Sequence, residues 1–218
     1  MKKAICVITL VLMAAGAANA AVITWTTGTI AGSNDVVNTG TTVEAFNGKG
    51  GTPSTSTIVN GVTFADTGTL LDNSYSGDVW TPAMTDAGYD SLLSSVDYQS
   101  NGTGDLSLYT FTGLTIGQDY LFQYWYADSN WQAPNPDRYI TISLGADTQS
   151  GDNQISGLEF ATATFTADAT SIEVVTSATH NGVRMTAMQL RAVPEPATLG
   201  LLAAFGGGIL FVRRFLQI

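Results

Sequence analysis

Tyr120-Leu121-Phe122-Gln123-Tyr124-Trp125-Tyr126 is the stretch on which the fold turns. Aromatic rings recur at every second position, Tyr120, Phe122, Tyr124 and Tyr126. A repeat of two is that of a β-strand, whose successive side chains point to opposite faces. Gly117-Gln118-Asp119 supplies the turn that introduces the strand, and alternation puts Trp125 on the face opposite Tyr124 and Tyr126. The pattern continues outward. Ile140, Ile142 and Leu144 alternate with Thr141 and Ser143, and further strands read over residues 106–111, 160–165, 172–176 and 183–190. Upstream, Thr57-Ile58-Val59-Asn60-Gly61-Val62-Thr63-Phe64 reads as two short strands joined by Asn-Gly, the dipeptide best suited to a tight hairpin turn. One helix is predicted, over 86–96, with Asp86 as its N-cap and Leu92, Leu93 and Val96 facing inward. Many short strands and one short helix predict an all-β, two-sheet sandwich. No internal repeat emerges, which excludes a solenoid.

The two ends of the chain read differently from its middle. Lys2 and Lys3 precede an apolar run from Ala4 to Ala17, and Ala18-Asn19-Ala20 follows. A basic head, a short apolar run and small residues three apart make a secretory signal peptide, predicted to cover residues 1–20 with cleavage between Ala20 and Ala21. At the far end, Val193-Pro194-Glu195-Pro196-Ala197-Thr198 leads into apolar residues 199–212, closed by Arg213 and Arg214. Two prolines bracketing one residue hold the chain extended there, because each lacks an amide donor and restricts its predecessor. Residues 197–212 as a helix would span about 24 Å at 1.5 Å per residue. That is short against a hydrocarbon core of about 30 Å. Gly206, Gly207 and Gly208 weaken such a helix further. Arg213 and Arg214 form the cytoplasmic basic stop expected from the positive-inside rule.

This tail, from Val193 to the terminal basic pair, resembles the PEP-CTERM sorting signal. The resemblance covers residues 193–218 and implies cleavage near Pro194, Glu195 and Pro196 by an exosortase, a membrane transpeptidase-like enzyme. It further implies a Gram-negative-type bacterium, passage through the inner membrane with transient anchoring there, and a final place at the cell surface or in the extracellular matrix.

The remaining domain, residues 21–193, has the length of one domain. Four of the eight basic residues belong to the two ends, leaving Lys49, Arg138, Arg184 and Arg191, whereas seventeen of the eighteen acids remain, so the domain carries −13. Such a field repels phosphate backbones and excludes nucleic acid as a partner. Cys6 is the only cysteine and leaves with the signal peptide, so disulfide and thiol chemistry are excluded as well.

A second resemblance covers about half of the domain. Residues 106–120, Trp125-Tyr126-Ala127-Asp128, Arg138 and Met188-Gln189-Leu190-Arg191 look like the second half of galactose-binding-like jelly rolls. It implies a jelly-roll-like sandwich; such modules often bind carbohydrate and sometimes hold a structural calcium ion.

No catalytic constellation stands out. His180 is the single histidine and lies in the turn Thr179-His180-Asn181-Gly182, without a nucleophile motif. No cofactor is expected, and one histidine without cysteine argues against zinc. Calcium stays open, because Asp66, Asp72 and Asp78, then Asp147 and Asp152, then Asp128 and Asp137 fall in loops that offer oxygen ligands. The preferred binding candidate is the loop 128–137. There Trp131 offers an indole face to a sugar ring, Asp128 and Asn130 offer polar groups, and Trp125 joins them. In the competing reading both tryptophans plug the sandwich and Arg138 pairs with Asp128. The expected function is a secreted, non-catalytic surface or matrix protein that binds polysaccharide, against a purely structural matrix protein or a secreted glycan-active enzyme.

Overall fold

The computed structural model describes residues 22–48, 56–66, 70–76, 79–100 and 102–194. The expected signal peptide with its Ala20/Ala21 junction, Glu195 and Pro196, the apolar segment 197–212, and Arg213 and Arg214 lie outside them. In chain order, β1 (Val22–Thr29), a 3-10 turn (Ser33–Asp35) and β2 (Thr41–Asn47) precede β3 (Thr57–Val59) and β4 (Val62–Asp66). Then follow β5 (Asn73–Ser76), α1 (Ala87–Leu93), β6 (Ser95–Tyr98), β7 (Leu106–Thr112) and β8 (Asp119–Ala127). The helical turn α2 (Ser129–Gln132) leads to β9 (Tyr139–Leu144), β10 (Thr148–Gly151), β11 (Gln154–Ser156) and β12 (Leu158–Thr166). The chain closes with β13 (Ser171–Ala178), β14 (Arg184–Met185) and β15 (Ala187–Ala192).

Eight strands form the main sheet in the order β10-β1-β12-β8-β15-β2-β4-β3, four form a second in the order β11-β9-β13-β7, and β14-β6-β5 form a small third. The chain is thus all-β and sandwich-like, as the sequence predicts. Tyr120, Phe122, Tyr124 and Tyr126 of β8 share one core with Phe111, Ile140, Ile142, Leu144 and Val174 of the second sheet. Phe111 and Phe122 meet edge to face across the gap, with ring centroids 6.0 Å apart.

The other face of β8 is buried too. Trp125, Ala127 and Ala187 pack there with Phe64, Tyr89, Leu92 and Leu93. Phe64 lies on β4, three strands from β8, yet its ring stands 5.8 Å from that of Trp125. The far edge of the main sheet therefore curls over its own outer face, and α1 fills the fold of the curl. The approach is close: a Cβ on Gly88 would lie 2.2 Å from the Ile58 carbonyl oxygen.

Polar side chains on this face fasten a neighbouring segment to it. Val37 N–H donates to Gln123 Oε1 at 2.9 Å, and Gln123 Nε2 donates to the Asp35 carbonyl at 3.0 Å. Gln189 donates to the Val37 carbonyl, and the Arg191 guanidinium donates to the carbonyls of Asn38, Thr39 and Gly40. Three buried side chains thus satisfy the backbone of the segment from Asp35 to Gly40 and fix it to the sheet.

Asp86 is the N-cap of α1 and accepts from Tyr89 N–H at 2.8 Å. The helix ends at Leu93 rather than at Val96, because Val96 sits on β6 opposite Tyr75 of β5. Its side chain is buried all the same, from a strand. The predicted strand 183–190 is likewise divided. β14 pairs with β6 and β15 with β8, and Thr186 between them accepts from Ala127 N–H at 2.8 Å.

The Asn60-Gly61 hairpin forms as expected, with both residues at positive φ, 47° and 77°. No atom lies within 4 Å of a Cβ placed on Gly61, so Gly61→Ala introduces backbone strain alone. Its expected cost is about 1–2 kcal/mol in urea unfolding, with an unchanged far-UV spectrum. A stability equal to that of the parent chain would mean the turn is of another type.

Candidate functional site

The strand β8 ends at Asp128, and the site grows from that carboxylate. Asp128 is fully buried, caps α2 by accepting from Trp131 N–H at 3.3 Å, and accepts a hydrogen bond from Arg184 Nη1 as its ion-pair partner. Gln132 locks the same turn. Its amide donates to the carbonyls of Asn135 and Pro136, and its Oε1 accepts from Gly157 N–H at 2.8 Å. The segment 79–81 is tied on from the other side: Asn130 N–H donates to the Val79 carbonyl, and Thr81 N–H donates to Ser129 Oγ at 2.8 Å. The loop is therefore held in one shape before any ligand arrives.

β14 pairs with β6 so that Arg184 stands opposite Tyr98. The Arg184 guanidinium lies between two rings, with Cζ 5.2 Å from the centroid of Tyr98 and 5.1 Å from that of Trp131. Tyr75, Val79, Tyr98, Asp128, Asn130, Trp131 and Arg184 together line a cleft of about 280 Å³. Trp131 is 49% exposed and Tyr75 is 53% exposed, so two apolar faces stand open above a buried ion pair. Aromatic faces around a few fixed polar groups are the usual make-up of a small-molecule site.

Behind the ion pair sits a second guanidinium. Arg138 is buried, donates through Nη2 to the carbonyls of Asn181 and Gly182, and lies 5.9 Å from the Tyr126 ring centroid. Burial pushes the Asp128 carboxyl up from its ordinary range, while Arg184 and Arg138 pull it back down. Burial lowers Arg138 and pushes the Tyr126 hydroxyl up to about 12.

Trp131, Asn130 and Asp128, expected from the sequence as one site, do come together in this cleft. Trp125 does not. It is fully buried on the outer face of β8, stacked on Phe160 at 6.0 Å, and offers no surface to a ligand. Asp128 is reached as the partner of Arg184 rather than as a free acceptor, and Arg184, not Arg138, makes the ion pair. The loop 128–137 also contains the helical turn α2, so α1 is not the one helix of the domain. Sequence reading missed Arg184, Tyr98 and Tyr75. The one available signal was the scarcity of basic residues, only four in 21–193.

His180 is exposed in its turn, with Asn181 at φ 53° and Gly182 at φ 74°. Of the acidic loops, Asp147 borders an open cavity of about 470 Å³ together with Asp168 and Glu173. Among the described residues no three His, Cys, Asp or Glu side chains group as a metal site.

The cleft also has a definite place on the sheet. Ala127 pairs with Leu158 and Trp125 with Ala187 at its end of β8. At the other end Asp119 pairs with Thr166, Tyr120 with Ala192, and Val193 N–H donates to the Asp119 carbonyl at 2.8 Å. Val22 borders Asp119 and Val193 there. Both ends of the described chain thus leave from the side opposite the cleft, about 26 Å away at 3.3 Å per strand residue.

No family model matches the chain, and no curated protein matches it. Among solved structures it is similar to a calcium-binding mutant of Bacteroides uniformis beta-glucuronidase 2, at 14% identity and a TM-score of 0.48. The match covers 69% of this chain and 18% of that one. At that level of likeness the neighbour's chemistry does not transfer.

Proposed function

We propose that this chain is a secreted, non-catalytic surface or matrix protein that binds polysaccharide in the Trp131–Arg184 cleft. Export runs through signal peptidase cleavage at Ala20/Ala21, transient anchoring in the inner membrane by residues 197–212, and exosortase cleavage at Pro194-Glu195-Pro196. The observation that carries the binding role is the pre-formed cleft, with the half-exposed Trp131 ring stacked on a guanidinium and held by Asp128 and Gln132. The resemblance to galactose-binding-like jelly rolls supports the same ligand class. The arrangement of the ends supports display: a tail attached after Pro194 leaves the cleft facing away from whatever the tail engages.

Catalysis is the less supported alternative. Glycoside hydrolysis generally uses a pair of carboxyl groups. Among the described lining residues Asp128 is the one carboxylate, and Arg184 holds it.

The test is titration of the purified full-length chain against a polysaccharide panel, beside Trp131→Ala. Loss of this ring should weaken glycan binding about 30-fold or more, the effect of removing a central aromatic anchor. Unfolding should shift by only about 1 kcal/mol, the worth of an exposed cation–π contact. Unchanged affinity would remove the site. A folded chain that binds no glycan would leave the structural-matrix reading. Repeating the titration with chelator tests whether an acidic loop holds calcium.

A further inference from the structure

In the cleft's lining Arg184 and Asp128 balance one another, and a second guanidinium, that of Arg138, lies behind them without a carboxylate of its own. Two guanidiniums, Arg184 and Arg138, act on one carboxylate, Asp128. Arg184 spends Nη1 on Asp128, and its buried Nε has no partner. Arg138 is 1% exposed and, apart from Nη2, leaves Nε and Nη1 unpartnered. A buried charge without a counter-ion is costly to fold and persists where something else compensates it. The contrast with the rest of the domain is sharp, since residues 21–193 carry −13 overall. That surrounding negative charge is screened within about 8 Å at physiological salt, so a bound group senses mainly the local pair of guanidiniums.

From this geometry we infer that the cleft selects acidic sugars, the ligand's carboxylate joining Arg184 beside Asp128 while its ring packs on Trp131. The inference rests on the proposed glycan-binding role and names its ligand class. With Nη1 on Asp128 and Nε buried, the guanidinium flanked by two aromatic faces keeps Nη2, edge-on, as the donor that a ligand's carboxylate meets. Neutral sugars would leave the excess charge unanswered. Arg138 takes the part of a positioning residue: it adds field from behind the ion pair without lining the cleft.

The experiment is calorimetric titration of the full-length chain with trigalacturonate and with the same trisaccharide after reduction of its carboxyl groups. Short probes are chosen because a long polyanion would also meet the acidic surface. The acidic trimer should bind about tenfold tighter or more, the usual gain from a hydrogen bond to a charged group. Equal affinities, with both lost in Trp131→Ala, would overturn the acidic preference and leave glycan binding intact. Binding of neither trimer, with a neutral polymer from the panel still bound, would overturn it as well. Binding of no glycan at all by a folded chain would remove the parent reading and this one together. Arg138→Gln should shrink the ratio between the two trimers while leaving the reduced trimer's affinity unchanged. A ratio unaltered in folded Arg138→Gln would show that the second guanidinium plays no part, and the charge-excess argument would fall.

Discussion

Trp125→Ala should lower the unfolding free energy by about 3–5 kcal/mol, the loss typical of a large aromatic removed from a packed core. The indole is fully buried and makes two ring contacts of different kinds, edge to face with Phe64 at 5.8 Å and stacked with Phe160 at 6.0 Å. One of those contacts joins elements that no backbone ladder joins directly. Phe160 belongs to the neighbouring strand β12, but Phe64 belongs to β4, beyond β15 and β2. Removing the ring would free the curled edge as well as open a void, so the urea midpoint should fall and the m-value should change little. Trp125→Phe should recover a good part of the loss, since a smaller ring still meets Phe64 and Phe160. Glycan affinity per folded molecule should be unaffected by either change. A loss under about 1 kcal/mol would contradict the closed outer face, because exposed sites are the ones that tolerate such truncation.

The same residue shows what the sequence made legible and what it concealed. Alternation of Tyr120, Phe122, Tyr124 and Tyr126 was enough to place β8 and to assign Trp125 to its opposite face. Whether that face was open or covered is a separate question, and alternation does not answer it. A signal did exist: between Tyr120 and Ala127 the only polar residue is Gln123, and near-continuous apolar strands are those buried on both sides. Local chemistry was legible wherever one or two residues decide the geometry. Asn60-Gly61 demanded positive φ twice, and Asp86 had an amide to cap three residues on. The cleft was only half legible because residues far apart in the chain build it: Tyr75 and Val79, Tyr98, Asp128 with Asn130 and Trp131, and Arg184. Trp131 and Asn130 stood in a polar, proline-rich loop and drew attention. Arg184 stood in what read as one continuous strand, and only the break at Thr186 delivers it to β6 instead of to the main sheet. Likewise Gln189 and Arg191 read as ordinary strand residues, and their role in fastening the segment 35–40 exists only after β15 lies beside β8 and β2.

Asp128→Leu should be the other severe substitution, and its logic differs from that of Trp125. Removing one member of a buried pair strands the other, at a cost of about 3–5 kcal/mol. Here two guanidiniums are stranded, Arg184 at once and Arg138 behind it, and the cap on Trp131 N–H is lost as well. The double variant Asp128→Leu/Arg184→Met should therefore be more stable than Asp128→Leu alone, because it withdraws the unpaired charge together with its partner. It should not return fully to the parent stability, since Arg138 still lacks a carboxylate and α2 still lacks its cap. Asp128→Asn should fall between, keeping a capping oxygen worth about 1 kcal/mol but supplying no charge. The ordering Asp128→Leu, then Asp128→Asn, with the double variant also above Asp128→Leu, can be read from urea midpoints of the four chains measured together. If the double variant proved less stable than Asp128→Leu, the ion pair would be acting as two independent packing side chains. The excess positive charge would then not be what makes this corner of the fold costly.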